Sequence, residues 1–367
     1  HIDLNLPDEI FEHQKVKPLD YSQIKAYLSE LGLWRDGTSK SMLSILSIPM
    51  YLRMYAETIT SDTIQNKSDL LNAFINRQLT KDGASAESDS TKALYSLFLT
   101  HVLPIIAHRM ITNDTGGSTF LLSPTDLEDT LAYASGLLQE TAYKRLCGEE
   151  YRKLLRDSAF SSYDELDLAD LAKIYFVRVC KMLRSDSDGN LDFVHQIYRD
   201  FFCAKFVSEQ MKYSLKAGSP SDAVSKQIFD TDIISFVSEL LSEGSPRLDG
   251  DGCWDYSCNA GSVTVPFIDL LRDVTGPDAA TSVANAAEIL KSARCGDLSG
   301  LDLSRLDLTR SALATCHLSR FDKRGVHPTS FKGSIIERYN LFTEKHFEEI
   351  LAACTNKTTV ACIDSTG

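Results

Sequence analysis

Apolar residues recur along most of this chain at helical spacing. Residues 21–33 carry Ile24, Tyr27, Leu28 and Leu31 at i, i+3, i+4 and i+7, one face of a helix. Ahead of them, residues 11–19 alternate weakly, as a short strand does. Residues 39–59 read as two helices meeting at Pro49, because proline has no amide to donate and fits best at a first helical position. Ser68 is expected to cap a helix through Leu79 with Leu70, Leu71, Phe74 and Ile75 inward. Residues 83–91 are small and polar with no apolar period, which marks a linker.

A second helical block opens with an apolar helix from Lys92 to Met110, broken at Pro104. After a loop, Ser123-Pro124-Thr125-Asp126 has the form of a capping box with proline in the first turn, which starts a helix running to about Leu138. Residues 164–175 read as one more short helix. The period then changes: residues 177–194 predict a strand, a turn on Asp188-Gly189-Asn190, and a second strand. That hairpin runs into a helix from His195 onward whose Ile197, Tyr198, Phe201, Phe202 and Phe206 make a wide apolar surface. Helices followed by a hairpin wing suggest a winged-helix domain. Beyond a Gly/Ser/Pro break at 217–220, helices are expected at about 222–242, 264–274 and 279–293.

From Cys295 the periodicity becomes neither 3.6 nor 2. Leu298, Leu303, Leu308, Leu313 and Leu318 stand five residues apart. Such spacing suits a square β-coil with five residues per side and one leucine per side pointing inward. Gly296, Leu301, Leu306, Ser311 and Cys316, two before each leucine, are expected to point inward as well. The stretch resembles a pentapeptide-repeat β-helix of little more than one coil; the LxxLxL pattern and asparagine ladder of leucine-rich repeats are missing. Residues 341–367, with a helix at 343–354 and a strand at 358–364, are compatible with the start of leucine-rich repeats or of a propeller.

Composition narrows the function. At 367 residues with 43% hydrophobic content, the chain can bury more than one core. A net charge of −13 opposes binding to phosphate backbones, and only Lys173, Arg178, Lys181 and Arg184 near the wing favour it. The nine cysteines lie singly, without disulfide-framework or zinc spacing, which suits a reducing cytoplasm. Every long apolar run is interrupted by polar residues or proline, so no membrane span is expected.

Motifs for chemistry are few. The nearest approach to a phosphate-binding loop, Gly32-Leu33-Trp34-Arg35-Asp36-Gly37-Thr38-Ser39-Lys40, has its lysine displaced and follows a helix instead of a strand, so it reads as an interhelical turn. Asp249 and Asp251 hint at a calcium loop, yet Cys253 and Trp254 stand where an oxygen ligand and glycine belong. No nucleophile elbow or paired-histidine metal motif is present, so no catalytic residue and no metal ligand is assigned. His195 sits where the wing ends and a helix begins, a place whose free amides favour an anion. Its alternative is a capping or core histidine, just as Pro49 alone reads as a helix start.

Four segments in order resemble the later half of a NACHT-family NTPase, one branch of the signal-transduction ATPases that include animal and bacterial immune receptors. Residues 11–31 resemble the last strand of the nucleotide-binding domain and the helix after it. Leu43 to Glu57 resembles the helical segment whose proline packs on adenine, and 102–110 with 122–131 resembles the opening of the winged-helix domain. Residues 192–207 resemble that domain's most recognisable motif, in which the histidine contacts the β-phosphate of ADP. The resemblance implies a mainly α, multi-domain helical arm. Its parts would be the tail of a nucleotide-binding domain (1–18), a first helical domain (19–82), a winged helix (92–212), a second helical domain (213–293), a pentapeptide-like repeat (294–340) and the start of a further repeat region (341–367). It makes Pro49 the adenine contact and His195 the phosphate sensor.

By the same resemblance, the phosphate loop and magnesium-binding strand belong ahead of His1. This chain alone is then no enzyme and binds ADP or ATP weakly, while the intact protein is an ATPase. Its implied partners are the upstream nucleotide-binding domain and a protein ligand or further copies of itself, in cytoplasmic signalling such as innate or anti-phage immunity. Two other functions stay open: a stand-alone helical scaffold or adaptor, and a winged-helix DNA-binding regulator.

Overall fold

A computed structural model describes residues 17–58, 64–83, 96, 98–112, 121–139, 180, 182–242, 247–248, 254–255, 260–313, 316–322, 325–337 and 361–363. Its described part is mainly helical, and it divides into two units, 1–78 and 79–367. The expected strand at 11–19, the helices at 164–175 and 343–354, and the Asp249/Asp251 turn fall wholly or mostly outside the described residues.

In the first unit, Asp20 opens α1 (Tyr21–Glu30) with the reciprocal capping its sequence allows: Asp20 accepts from the Gln23 amide at 2.9 Å, and the Gln23 side chain accepts from the Asp20 amide. Gly32 and Gly37, both at positive φ, turn the chain into α2 (Lys40–Leu46), which Ser39 caps. The glycine-containing stretch is therefore a connection between helices. Pro49 is the first residue of α3 (Pro49–Thr58), as its missing amide dictates. Ile24, Leu28, Met42, Leu46 and Leu52 form the shared core.

The helix expected to start at Ser68 is α4 (Lys67–Gly83), one turn longer and differently capped. Asn66 accepts from the Asp69 amide at 2.8 Å. Ser68 is instead buried inside the first turn, because asparagine two residues earlier supplies the acceptor that a cap requires.

In the second unit the apolar run does not break at Pro104. A π-turn (Phe98–Val102) precedes α5 (Leu103–Thr112), and this wider turn carries the missing amide of Pro104 without ending the helix. Ser123 caps α6 (Pro124–Gln139), accepting from the Asp126 amide at 3.1 Å. The reciprocal bond differs from a capping box: the Asp126 carboxylate takes the Ser123 hydroxyl.

The hairpin strands are shorter than expected: β1 (Leu183–Ser185) and β2 (Leu191–Phe193), antiparallel. Asp186 fixes the turn by accepting from the amides of Asp188 and Asn190. Leu122 adds a third rung, exchanging two backbone hydrogen bonds with Leu191 at 2.8 and 2.9 Å. From the hairpin the chain enters α7 (Gln196–Ala217), which Gly218 ends at φ 72°. The helix runs through the expected domain boundary at 213. Phe201, Phe202, Phe206, Val207 and Met211 bury it against α5 and α8 (Thr231–Leu241).

The helix expected over 222–242 is two elements, a 3-10 turn (Asp222–Val224) and α8, capped by Asp230. Asn285 explains the break. Fully buried in α10 (Pro277–Ala293), it accepts from the Phe229 amide at 3.0 Å and donates to the carbonyls of Val224 and Gln227 at 2.8 Å. Those groups are thereby satisfied outside any helix. His108 holds the same segment from α5, with Nε2 2.8 Å from the carbonyl of Ala223. A minimal ribbon of β3 (Arg247–Leu248) and β4 (Trp254–Asp255) precedes α9 (Gly261–Asp269), which begins and ends earlier than the expected 264–274.

The five-residue period forms a coil. Leu298, Leu303, Leu308, Leu313 and Leu318 are all buried, as are Leu306, Ser311 and Cys316; Gly296 and Leu301 are only half-buried. Asp297 bridges His317 in parallel, twenty residues on, the length of four five-residue sides. The coil then continues beyond one turn. Asp302 bridges Ser330 and Asp307 bridges Ile335, each 28 residues apart. The longer turn contains a hairpin of β5 (Ser319–Asp322) and β6 (Gly325–Pro328), closed at its base by the Thr329 amide donating to the Leu318 carbonyl at 2.8 Å. Phe331 and Ile336 fill the next inward positions. Finally β7 (Ile335–Glu337) pairs in parallel with β8 (Ala361–Ile363), unlike the antiparallel blades of a propeller.

Two outcomes follow from these contacts. Asn285→Leu keeps the volume but leaves one amide and two carbonyls without partners, and costs about 3 kcal/mol or more in urea unfolding. Burial pushes His101 and His108 down to about 4, in His108 despite the Ala223 carbonyl. Unfolded histidines protonate near 6.5, so the stability these two carry is whole above that pH and is lost as pH falls toward 4. Unfolding midpoints should therefore drop between pH 6.5 and 4, and His108→Gln, which keeps a donor for Ala223, should flatten the slope.

Candidate functional site

His195 leaves β2 in extended conformation, φ −144° and ψ 133°, and becomes the N-cap of α7. The turn of the chain is fixed from behind by the Val194 amide, which donates to the Met182 carbonyl at 2.8 Å. The imidazole is exposed, and its Nδ1 accepts from the Ile197 amide at 3.3 Å. An accepting Nδ1 places the proton of the neutral ring on Nε2. The ring edge meets Tyr198, 6.3 Å between centroids. His195 is thus both a cap and a donor, with one nitrogen spent on the helix.

A helix N-terminus of 22 residues brings its positive dipole end to the same spot. Exposed Val194 precedes the histidine, so an apolar surface adjoins the donor. Among the described residues, the site offers no acid, base or nucleophile arrangement beyond the imidazole. It can donate to an anion.

Pro49 lies in the first unit and His195 in the second. At the start of α3, Pro49 and the preceding Ile48 are both exposed, above a core that includes Met42, Leu46 and Leu52. The pair presents exposed apolar surface. Among the described residues, no group of three His, Cys, Asp or Glu could hold a metal ion.

Sequence reading passed over the charged pair behind His195. Arg199 and Asp200 are buried one turn into α7, with Arg199 Nε and Nη2 both donating to Asp200 Oδ1 at 3.0 and 2.8 Å. Burial raises the Asp200 carboxyl above its usual range; Arg199 pulls it back, and nearby Asp230 adds to the rise. Two adjacent charges inside an otherwise apolar helix face were the available signal.

The aspartates of the coil were also passed over. Asp297, Asp302 and Asp307 each accept from the amide two residues on, that of Ser299, Ser304 or Thr309, at 2.8 to 3.2 Å. Burial alone would raise Asp302, but bonds from Ser304 and the Arg272 guanidinium outweigh it and hold the carboxyl low. The repeated Asp-Leu-Ser/Thr triplet was the legible signal. These bonds shape the coil's corners.

No protein-family model matches the chain, and no curated protein matches it.

The double role of His195 predicts separable effects. His195→Ala removes the cap and should cost about 0.5 to 1 kcal/mol in urea unfolding, whereas His195→Asn, a good N-cap, should leave stability unchanged or slightly raised.

Proposed function

We propose that this chain is the regulatory arm of a NACHT-type signalling ATPase, in which His195 donates from Nε2 to a phosphate of bound ADP and holds a closed state. The observation that carries the reading is the geometry of His195, exposed at the start of a long helix with Nδ1 committed to the cap and the other nitrogen facing outward. When bound, ADP would supply the anion that links this arm to the nucleotide-binding part of the intact protein.

The order of elements supports a winged helix around the site: α5, the Leu122 rung, α6, then the hairpin that pairs with that rung. The coil after α10 supports a pentapeptide-like repeat leading into a sensor region. A ligand bound there would shift the arm toward an open, oligomerising state. That no helix among the described residues is long and apolar enough to cross a membrane fits such an arm.

Two measurements test the proposal. The coding sequence ahead of His1 should encode a strand followed by a phosphate-binding loop; without one, a scaffold function is favoured. In the intact protein, His195→Ala should speed ADP release roughly tenfold or more, the value of a hydrogen bond to a charged group, and raise basal oligomerisation. Unchanged ADP retention with unchanged basal activity would sink the sensor role.

A further inference from the structure

The connection between α7 and α8 is pinned from three helices. On α7, Ser214 accepts from the Ser221 amide at 2.9 Å, and Gln210 accepts from the Ser221 hydroxyl at 2.8 Å. On α5, His108 Nε2 lies 2.8 Å from the Ala223 carbonyl. On α10, one fully buried side chain makes three bonds: Asn285 Oδ1 accepts from the Phe229 amide, and Nδ2 donates to the carbonyls of Val224 and Gln227. The coil in turn grips α10. Arg310 Nη1 donates to Thr281 Oγ1 at 2.6 Å, one turn before Asn285, and Lys291, late in the helix, reaches the Ala312 carbonyl at 3.4 Å.

We propose that Asn285 couples the coil to residues 221–230, so that a change in the coil's grip on α10 is read out as opening of this strap. The inference goes beyond the sensor reading and does not depend on it. All three Asn285 bonds end on one planar amide, and hydrogen bonds weaken steeply with misalignment, so a small shift of α10 strains them together. Between the buried anchors Val224 and Phe229, residues Lys226, Gln227 and Ile228 are exposed. Opening therefore exchanges the strap's protein hydrogen bonds for water and uncovers two apolar anchors, while the helices on either side stay folded. Segments of this kind open locally at less cost than global unfolding. The strap ends at Asp230, whose carboxylate caps α8 by accepting from the Ile233 amide at 3.0 Å. Phe236 of α8 meets Phe201 of α7 edge to face, 5.5 Å between centroids, so a disturbance at the start of α8 lies close to the packing of α7.

Hydrogen exchange of the 221–230 amides in the intact protein, normalised to global stability, tests the coupling. Arg310→Ala removes the coil's bond to Thr281 and leaves no orphan, because the Thr281 hydroxyl also donates to the Pro277 carbonyl. Lys291→Ala removes the second contact. Arg305→Ala is the control for general damage to the coil, since its guanidinium is exposed and bonds Asp273, ahead of α10. Asn285→Asp keeps an acceptor for the Phe229 amide and loses both donated bonds.

Arg310→Ala and Lys291→Ala are expected to raise exchange across 221–230 several-fold, and Arg305→Ala to leave it near the starting value. Once Asn285→Asp is present, Arg310→Ala should add nothing further. Exchange that rises only within the coil, or that rises in the strap as much with Arg305→Ala, overturns the coupling. Full additivity of Arg310→Ala and Asn285→Asp overturns the role of Asn285, because the coil would then reach the strap by another route. If Asn285→Asp fails to fold, the other three variants still decide.

Discussion

A helix can be buried on several sides only if most of the polar groups it takes inside find partners there, and α7 sets that condition for the second unit. From Ile197 to Ser214 its buried residues include three phenylalanines that are at most 1% exposed. Ser208 and Ser214 return their hydroxyls to carbonyls four residues back, and Arg199 and Asp200 answer each other. Around this helix α5, α8 and α9 pack, and the segment between α7 and α8 is tied down by His108 from one side and Asn285 from another. The hairpin stands at one end of the same helix, so the position of His195 is inherited from the packing of the core.

Elements governed by neighbours in sequence were legible in advance. The apolar face of α7, the proline start of α3 and the leucines of the coil follow from local sequence; of the four residues expected on one face of α1, Ile24 and Leu28 are buried, whereas Tyr27 and Leu31, toward the end of a helix that stops at Glu30, are exposed. What escaped depended on residues far apart. Within 222–242 the cap-type residue Asp230 alone hints at a break, because the group that takes up its free amide and carbonyls is Asn285, more than fifty residues later. Ser68 and Asn66 are both acceptable caps by type, and only the geometry of the incoming chain chooses between them. At the site, the junction of hairpin and helix gave the place of His195, whereas the nitrogen left facing outward depended on which one the cap consumed.

The join between helices and coil illustrates how local strain is held. Asp273 and Arg305 both adopt left-handed conformations that cost non-glycine residues roughly 1 kcal/mol apiece. They face each other: the Asp273 amide donates to the Arg305 carbonyl at 2.9 Å, and the Arg305 guanidinium reaches the Asp273 carboxylate at 2.7 Å. Beside them, Arg272 donates to the carbonyls of Asp302 and Ser304. The contacts that orient the first side of the coil are thus the ones that hold both backbones in their turns.

The hairpin within the coil bears on how such a protein can change. Its base is closed by Leu318 and Thr329, both buried, and the parallel bridges resume at Ser330 and Ile335 as though nothing had intervened. Register is therefore set by the inward side chains and not by the number of residues between them. A coil built this way has modular sides: a corner can be lengthened, shortened or exchanged without rewriting the core. Recognition could diversify quickly there, under little constraint from folding.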